Sequence, residues 1–332
     1  MKIVIPMAGM GKRMRPHTLT KPKPLLDIAG KSIVERLIID LAQMVDQVDE
    51  VAFIIGNFGK EVEDHLIDIA QNLGYTAKIY YQLEAMGTAH ALYMARESLQ
   101  GPVLVAYADT LFSTDFKVDP AEEAYIWVKK ISNPEQFGVV VCDEQGYIQR
   151  FAEKSKTFVS DMAIIGIYYF REGELLRDEV QFLLDHHITG NGEFQITDAL
   201  ENMRAKGVKI KIAPVEGWYD CGNIMATLDT HRQILELGKY AESSPDKVTI
   251  VNSTIIQPCF IGDHTVIIDS EIGPYVSIGN GTKIEKSKIS DTIIYNESRI
   301  THSEIDGAMI GNNVICNHIT KSGLNVGDFS EI

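Results

Sequence analysis

Basic charge is scarce in this chain of 332 residues: 31 Lys and Arg stand against 46 Asp and Glu, a formal net charge of −15 at pH 7. That balance argues against a general nucleic-acid or membrane-surface binder, since both need a basic face. A nucleotide can still be held, but only where lysines and arginines are gathered locally. Cysteine is scarce too. Cys142, Cys221, Cys259 and Cys316 are scattered with no CxxC pair, which argues against a disulfide framework or a zinc site. Four free thiols in a reducing cytoplasm are expected. Long apolar runs are missing, with none near the ~18 residues of a spanning helix. The apolar start is broken at once by Gly9, Gly11, Lys12 and Arg13, unlike a signal peptide.

What is present falls into two patterns. Through about residue 237, short apolar strands alternate with helical spacings. Lys2–Pro6, Val51–Ile55, Ile79–Gln82 and Val103–Ala108 read as strands; Ser32–Val45, Lys60–Leu73 and Thr88–Leu99 read as helices. Such alternation predicts crossover units and a mixed, mostly parallel sheet of the Rossmann-like α/β class. After residue 120 the segments read as more antiparallel, with a hairpin at Val139–Cys142 and Tyr147–Phe151. Helices return at Gly173–His186, Phe194–Lys206 and Ile224–Leu237.

From residue 245 isoleucine recurs every five or six positions, from Ile255 and Ile261 through Ile305 and Ile310, with Gly, Asn, Asp and Ser between. A period near six is neither helical nor a simple alternation, and marks a β-solenoid. The repeats resemble the left-handed parallel β-helix of hexapeptide-repeat proteins, at roughly four turns of three strands. A boundary near Ser243-Ser-Pro245 divides the chain into 1–242 and 243–332.

Gly9-Met-Gly11-Lys-Arg13 follows the first strand. A Gly-rich turn there offers backbone N–H groups at the carboxyl edge of the sheet, where open α/β folds bind ligands. A dinucleotide fold would want a third glycine where Met14 stands, and a P-loop would want Ser or Thr where Arg13 stands. The continuation adds Pro16, Thr18 and Pro22-Lys23-Pro-Leu-Leu26, so two cations bracket a proline-rich turn. Nucleotidyl transfer asks for charge placed against a polyphosphate and little covalent chemistry from the protein.

The segment AGMGKRM…PHTLTKPKPLLDIAGKSIVERLI resembles the opening of sugar-1-phosphate nucleotidylyltransferases, in particular long-form glucose-1-phosphate thymidylyl- and uridylyltransferases, which also append a left-handed β-helix. One departure is Lys12, where the family has Thr or Ser. The resemblance implies that Ala8, Gly9 and Gly11 meet the nucleotide through the backbone, that Arg13 holds the β- and γ-phosphates, and that Lys23 holds the α-phosphate under attack.

Further motifs extend it. Asp109 in VLVAYADTLF and Asp220 in GWYDCGN match the family's metal pair, and two carboxylates with phosphate oxygens suit Mg²⁺. Gln82, Gly87 and Thr88 lie in the segment that resembles the base reader, and a Gln amide can meet the N3–H and O4 edge of uracil or thymine. His90 is read as structural, as is Gly192-Glu-Phe194. Gly138, Glu153, Lys154 and Gly166 match the sugar-phosphate half, with Ser155 where the family has Pro. Ala163-Ile-Ile-Gly166 lacks the Asn of N-acetylglucosamine-1-phosphate uridylyltransferases.

The expected reaction joins dTTP or UTP to glucose 1-phosphate, in a cytoplasmic homo-oligomer assembled through the β-helix. The alternatives are an added acyltransferase site in the β-helix, a mannose-1-phosphate guanylyltransferase, or a non-catalytic regulatory subunit. The β-helix offers His302 and His318, which are read as solvated corner residues.

Overall fold

The computed structural model describes residues 1–153, 158–190, 192–239 and 247–332, the side chains of Gln136 and Glu153 excepted. In chain order the elements before the solenoid are β1 (Lys2–Pro6), β2 (Asp27–Ile28), β3 (Lys31–Ser32), α1 (Ile33–Gln43), β4 (Glu50–Ile55), α2 (Lys60–Asn72), β5 (Thr76–Tyr81), α3 (Thr88–Met94) and β6 (Val103–Ala106). There follow β7 (Thr110–Ser113), β8 (Ala124–Lys130), β9 (Gly138–Cys142), β10 (Ile148–Glu153), β11 (Met162–Phe170), α4 (Gly173–Asp185), α5 (Ile196–Ala205), β12 (Ile210–Pro214), β13 (Gly217–Asp220) and α6 (Ile224–Glu236). Contacts divide the chain into two compact units. One joins Met1–Gly9 to Glu35–Trp218, and the other joins Met10–Val34 to Tyr219–Ile332. The linear boundary at residue 243 falls outside the described residues, and the second unit takes in an N-terminal segment that a division into 1–242 and 243–332 does not separate.

The first unit is built on one sheet in the order β10-β9-β11-β6-β1-β4-β5, with β8 on β11 and β12 on β8. Its centre is parallel (β6, β1, β4, β5), as crossover helices require. The pairs after residue 120 are mainly antiparallel, β11 running against β6, β8 and β9. The strands at the centre bury nearly every side chain: Ile3, Val4, Ile5, Val51 to Ile55 and Val103 to Ala106 are all inaccessible to solvent. This is the near-continuous apolar pattern of a sheet covered on both faces. α3 stops at Met94, five residues short of the spacing's prediction. Beyond it Ala95, Arg96 and Ser98 donate to carbonyls three residues back, a tighter winding than α-helix.

In the second unit Thr249–Val251, Thr254–Ile255 and Cys259–Ile261 make the first coil of the left-handed β-helix, and Ile315–Asn317, Thr320–Ser322 and Asn325–Val326 the last. Each of its three sheets has five parallel strands, so it has five coils rather than four. The shortfall lies in the last coil, where Cys316 and Val326 stand in register with Ile300 and Ile310 and fill the inward positions without an isoleucine. From Ile267 to Ile310 the recurring isoleucines are buried in one stack, with Ile255 and Ile261 packed against it.

Side-chain ladders satisfy the corners. Asn280 accepts from the N–H of Asp263, Asn296 from Asn280, Asn312 from Asn296 and Asp328 from Asn312, at 2.8–3.2 Å. The glycines before these corners have no room for a side chain. A Cβ on Gly279 would stand 2.6 Å from Asn296 N and Oδ1, and one on Gly311 2.5 Å from Asp328 N. This is the physical content of the Ile-Gly pairs in the repeat.

Candidate active site

The second unit holds the cation-bearing loop. Gly11 adopts φ 60 and starts a 3-10 turn, Lys12–Met14, that leaves Lys12 and Arg13 exposed while Met14 is buried. The loop closes on itself: Thr18 Oγ1 donates to the Gly11 carbonyl at 2.8 Å, and Met14 N–H donates to the same oxygen at 2.9 Å. A Cβ at Gly11 would lie 2.9 Å from Lys23 Cβ, so only glycine lets the turn pack on the lysine that follows. Lys23 is 9% exposed, at the start of a second 3-10 turn, Lys23–Leu25. Lys12, the departure from the family pattern, is exposed to solvent.

Asp220 belongs to the same unit, as the last residue of β13. Gly222 N–H donates to its Oδ1 at 2.8 Å, and a Cβ on Gly222 would stand 2.9 Å from that oxygen. Thr230 Oγ1, from α6, donates to the Asp220 carbonyl at 2.7 Å. Asn223 caps α6 by accepting from Ala226 N–H. An exposed carboxylate is thus held by a glycine bend and a helix.

The first unit carries the other expected residues. Ala8 and Gly9 end the connection after β1. Asp109 lies three residues past β6, in the turn that leads to β7, at the carboxyl end of a buried strand. Among the described residues no three or more His, Cys, Asp or Glu gather as a ready-made metal cage. Asp109 lies in the first unit and Asp220 in the second, and each offers hard carboxylate oxygens of the kind Mg²⁺ takes.

Gln82 follows β5, and its side chain is pinned. Nε2 donates to the Gly87 carbonyl at 3.0 Å and to His90 Nδ1 at 3.1 Å. Both amide hydrogens are therefore engaged, and Oε1 is left as the acceptor. Burial lowers the pKa of His90, an effect that Glu84 opposes, so the imidazole stays neutral and its Nδ1 can accept. His90, read as structural from the sequence, sets the amide of Gln82; no motif marks it, and the only signal is its place one turn into the helix that Gly87 opens.

Gly87 sits at φ 113, where a Cβ would press into the backbone of Phe194, 2.6 Å from its nitrogen. Phe194 N–H donates to Met86 O, and Ala89 N–H to Phe194 O. The Gly192-Glu-Phe194 segment thus clamps the Gln82–Gly87 loop. Thr88 Oγ1 accepts from Ile196 N–H at 2.9 Å and faces Gln195 Oε1 at 3.3 Å, so in this structure its hydroxyl serves the start of α5.

The sugar-side residues share two strand pairs. Gly138 stands opposite Glu153 in the β9–β10 ladder. Gly166 lies at φ 83 in the bulge of β11, between Ile164 and Tyr168, a backbone form that suits glycine. The expected phosphate ligand Lys154 lies outside the described residues. His302 and His318 are exposed and stack on one another, centroids 4.7 Å apart at 16°. All four cysteines are free thiols, and among the described residues no helix is long and apolar enough to cross a membrane.

The chain is similar to known proteins over most of its length. The profile of the nucleotidyl transferase family matches residues 2–236. A glucose-1-phosphate thymidylyltransferase of Streptomyces antibioticus is 30% identical, over 95% of this chain and 93% of its own. The bifunctional protein GlmU of Methanocaldococcus jannaschii is 29% identical, over 97% of this chain and 81% of its own. Among solved structures, UDP-glucose pyrophosphorylase complexed with UDP-glucose superposes with a TM-score of 0.59 at 21% identity, over 71% of this chain and 98% of its own.

Proposed function

The chain belongs to the nucleotidyl transferase family, whose model matches residues 2–236, and from that premise we propose that it joins dTTP or UTP to glucose 1-phosphate, releasing pyrophosphate. Transfer of a nucleotide to a sugar phosphate is the chemistry its named relatives share, and the thymidylyltransferase relative motivates the thymidine or uridine arm and the glucose acceptor. The observation that favours the base over adenine and cytosine is the pinned Gln82. An amide with both hydrogens engaged presents only an oxygen, and an oxygen pairs with the N3–H of uracil or thymine. Adenine and cytosine carry a bare ring nitrogen at that position, so they meet acceptor with acceptor.

In this reaction a sugar 1-phosphate oxygen attacks the α-phosphorus and pyrophosphate departs in line. The nucleophile is already an anion, so no general base is called for. Arg13 holds the β- and γ-phosphates and Lys23 the α-phosphate. Gly138, Glu153, Lys154 and Gly166 hold the sugar phosphate, and Ala8, Gly9, Gly11, Gly87 and Thr88 frame the nucleotide. Asp109 and Asp220 would hold Mg²⁺, which when bound neutralises phosphate charge. In the same reading the β-helix is the scaffold through which copies of the chain assemble, and the cytoplasm is the place of work.

A pyrophosphate-release screen tests this, pairing dTTP, UTP, GTP, CTP and ATP with glucose, mannose, galactose and N-acetylglucosamine 1-phosphates. The expected leaders are dTTP or UTP with glucose 1-phosphate; a lead by GTP with mannose 1-phosphate overturns the specificity. Lys23→Ala and Asp109→Ala are expected to cost at least ~100-fold, in the range of a lost transition-state electrostatic contact. Near-normal turnover in either would overturn the assignment. Incubation with acetyl-coenzyme A and glucosamine 1-phosphate is expected to give no acetylated product, since the corner histidines face solvent.

A further inference from the structure

The loop that carries Arg13 and Lys23 does not hold its own shape alone. Its middle, residues 15–21, is seated on the last coil of the β-helix, within the same compact unit. His17 Nε2 lies 2.7 Å from Asn325 Oδ1, and Asn325 Nδ2 reaches back to the Arg15 carbonyl at 3.4 Å. Thr20 Oγ1 donates to Asp328 Oδ2 at 2.7 Å. A Cβ on Gly327 would stand 2.9 Å from Pro16 Cβ, so the chain meets the coil in direct contact. Lys21 Nζ lies 5.0 Å from the centre of the Tyr295 ring, and the His17 ring meets the edge of that tyrosine at 5.8 Å.

Asp328 is the end rung of the asparagine ladder. Its Oδ1 accepts from Asn312 N–H, as every rung does, and its second oxygen takes the loop. Asn325 is likewise oriented by two partners, so its Oδ1 faces His17 and the imidazole must donate from Nε2–H. His17 is 1% exposed, and its Nδ1 has no hydrogen-bond partner. A second proton would have to sit there, buried, with nothing to accept it.

We infer that His17 is a positioning residue of the transfer reaction, holding the cation-bearing loop through Asn325 only while its imidazole is neutral. The inference rests on Arg13 and Lys23 acting as proposed above. Against burial, the Asn325 hydrogen bond and the Asp328 charge favour protonation of His17, Lys21 opposes it, and Tyr295 faces it as a neutral ring. Burial outweighs these and lowers its pKa. The neutral form therefore prevails at pH 7, and acid drives the ring toward a form that its site rejects.

The test compares His17→Gln, His17→Ala and Asn325→Ala in the pyrophosphate-release assay from pH 5 to 8.5, with Lys23→Ala alongside. Glutamine can donate near the Nε2 position and does not titrate. His17→Gln is expected to keep kcat within about threefold at pH 8 and to be less acid-sensitive than the natural protein. His17→Ala and Asn325→Ala are expected to lose about tenfold in kcat/KM at pH 8, the scale of one buried hydrogen bond. Thermal melting separates loss of fold from loss of positioning; where alanine variants fail to fold, the pH profile of His17→Gln decides. An unchanged acid limb in His17→Gln, or full activity in folded His17→Ala, overturns the inference. If Lys23→Ala stays active, it is instead the role of the loop that fails.

Discussion

At the scale of single residues, the Gln82–Gly87 loop, proposed to read the base, is held from both sides, by His90 and by Phe194. His90→Ala removes the acceptor that holds the Gln82 amide, and should raise KM for the nucleotide by about three- to tenfold, with kcat little changed. Steady-state kinetics with dTTP and UTP check this, and a rise in misuse of CTP should accompany it as the amide turns freely. Gly87→Ala drives a methyl into the Phe194 backbone from a strained φ, and should destabilise the fold by about 2 kcal/mol, read from chemical denaturation. The sequence pointed to Gln82 and Gly87 by resemblance and to Asp109 by its place after an apolar strand. It could not point to His90, because a hydrogen bond between side chains eight positions apart leaves no periodic trace. Nor could it show that Thr88 spends its hydroxyl on the start of α5, a contact across more than a hundred residues.

At the scale of elements, periodicity was the legible quantity. The isoleucine repeat located the inward stack of the β-helix because every strand there buries one aliphatic residue. It undercounted the coils because the last coil uses Cys316 and Val326 for the same place. The β2–β3 hairpin went unread. Two-residue strands carry no period, and its turn is set by Ala29 and Gly30, both at positive φ, with Gly30 against the Phe260 ring of the solenoid. The ladders went unread too, since their members lie 16 or 17 residues apart and share no local pattern. They matter energetically. Asn296→Ala leaves Asn280 N–H without its acceptor and should cost about 1–2 kcal/mol; Ile289→Ala, in the dry stack, should cost about 2–5 kcal/mol. Both are read as falls in the denaturant midpoint, and near-equal costs would show that corner and core contribute alike.

At the scale of the whole chain, the acidic balance and the histidines set the response to pH. His17 and His90 both have pKa values lowered from 6.5 by burial. Below that value the unfolded chain takes up protons that the folded chain refuses, so stability is complete above it and is lost as pH falls toward the folded values. Tm should therefore drop between pH 7.5 and 5.5, and the double variant His17→Gln, His90→Gln should show a smaller drop. An equal drop would assign the acid response to other groups. The α/β class and the solenoid were legible at this scale because each has its own spacing. The grouping of Met10–Val34 with Tyr219–Ile332 was not, because it is made by contacts between opposite ends of the chain.

Those contacts also order events in time. Asn325 and Asp328 come 308 positions after His17 and Thr20, which they hold. At about 5–20 residues per second, a ribosome finishes the loop roughly 15 to 60 seconds before it makes the coil that seats it. For that interval the nascent chain carries Arg13 and Lys23 on a segment with no seat. A product broken off before residue 325 would bear every cation of the loop without the hydrogen bonds that Asn325 and Asp328 make to it.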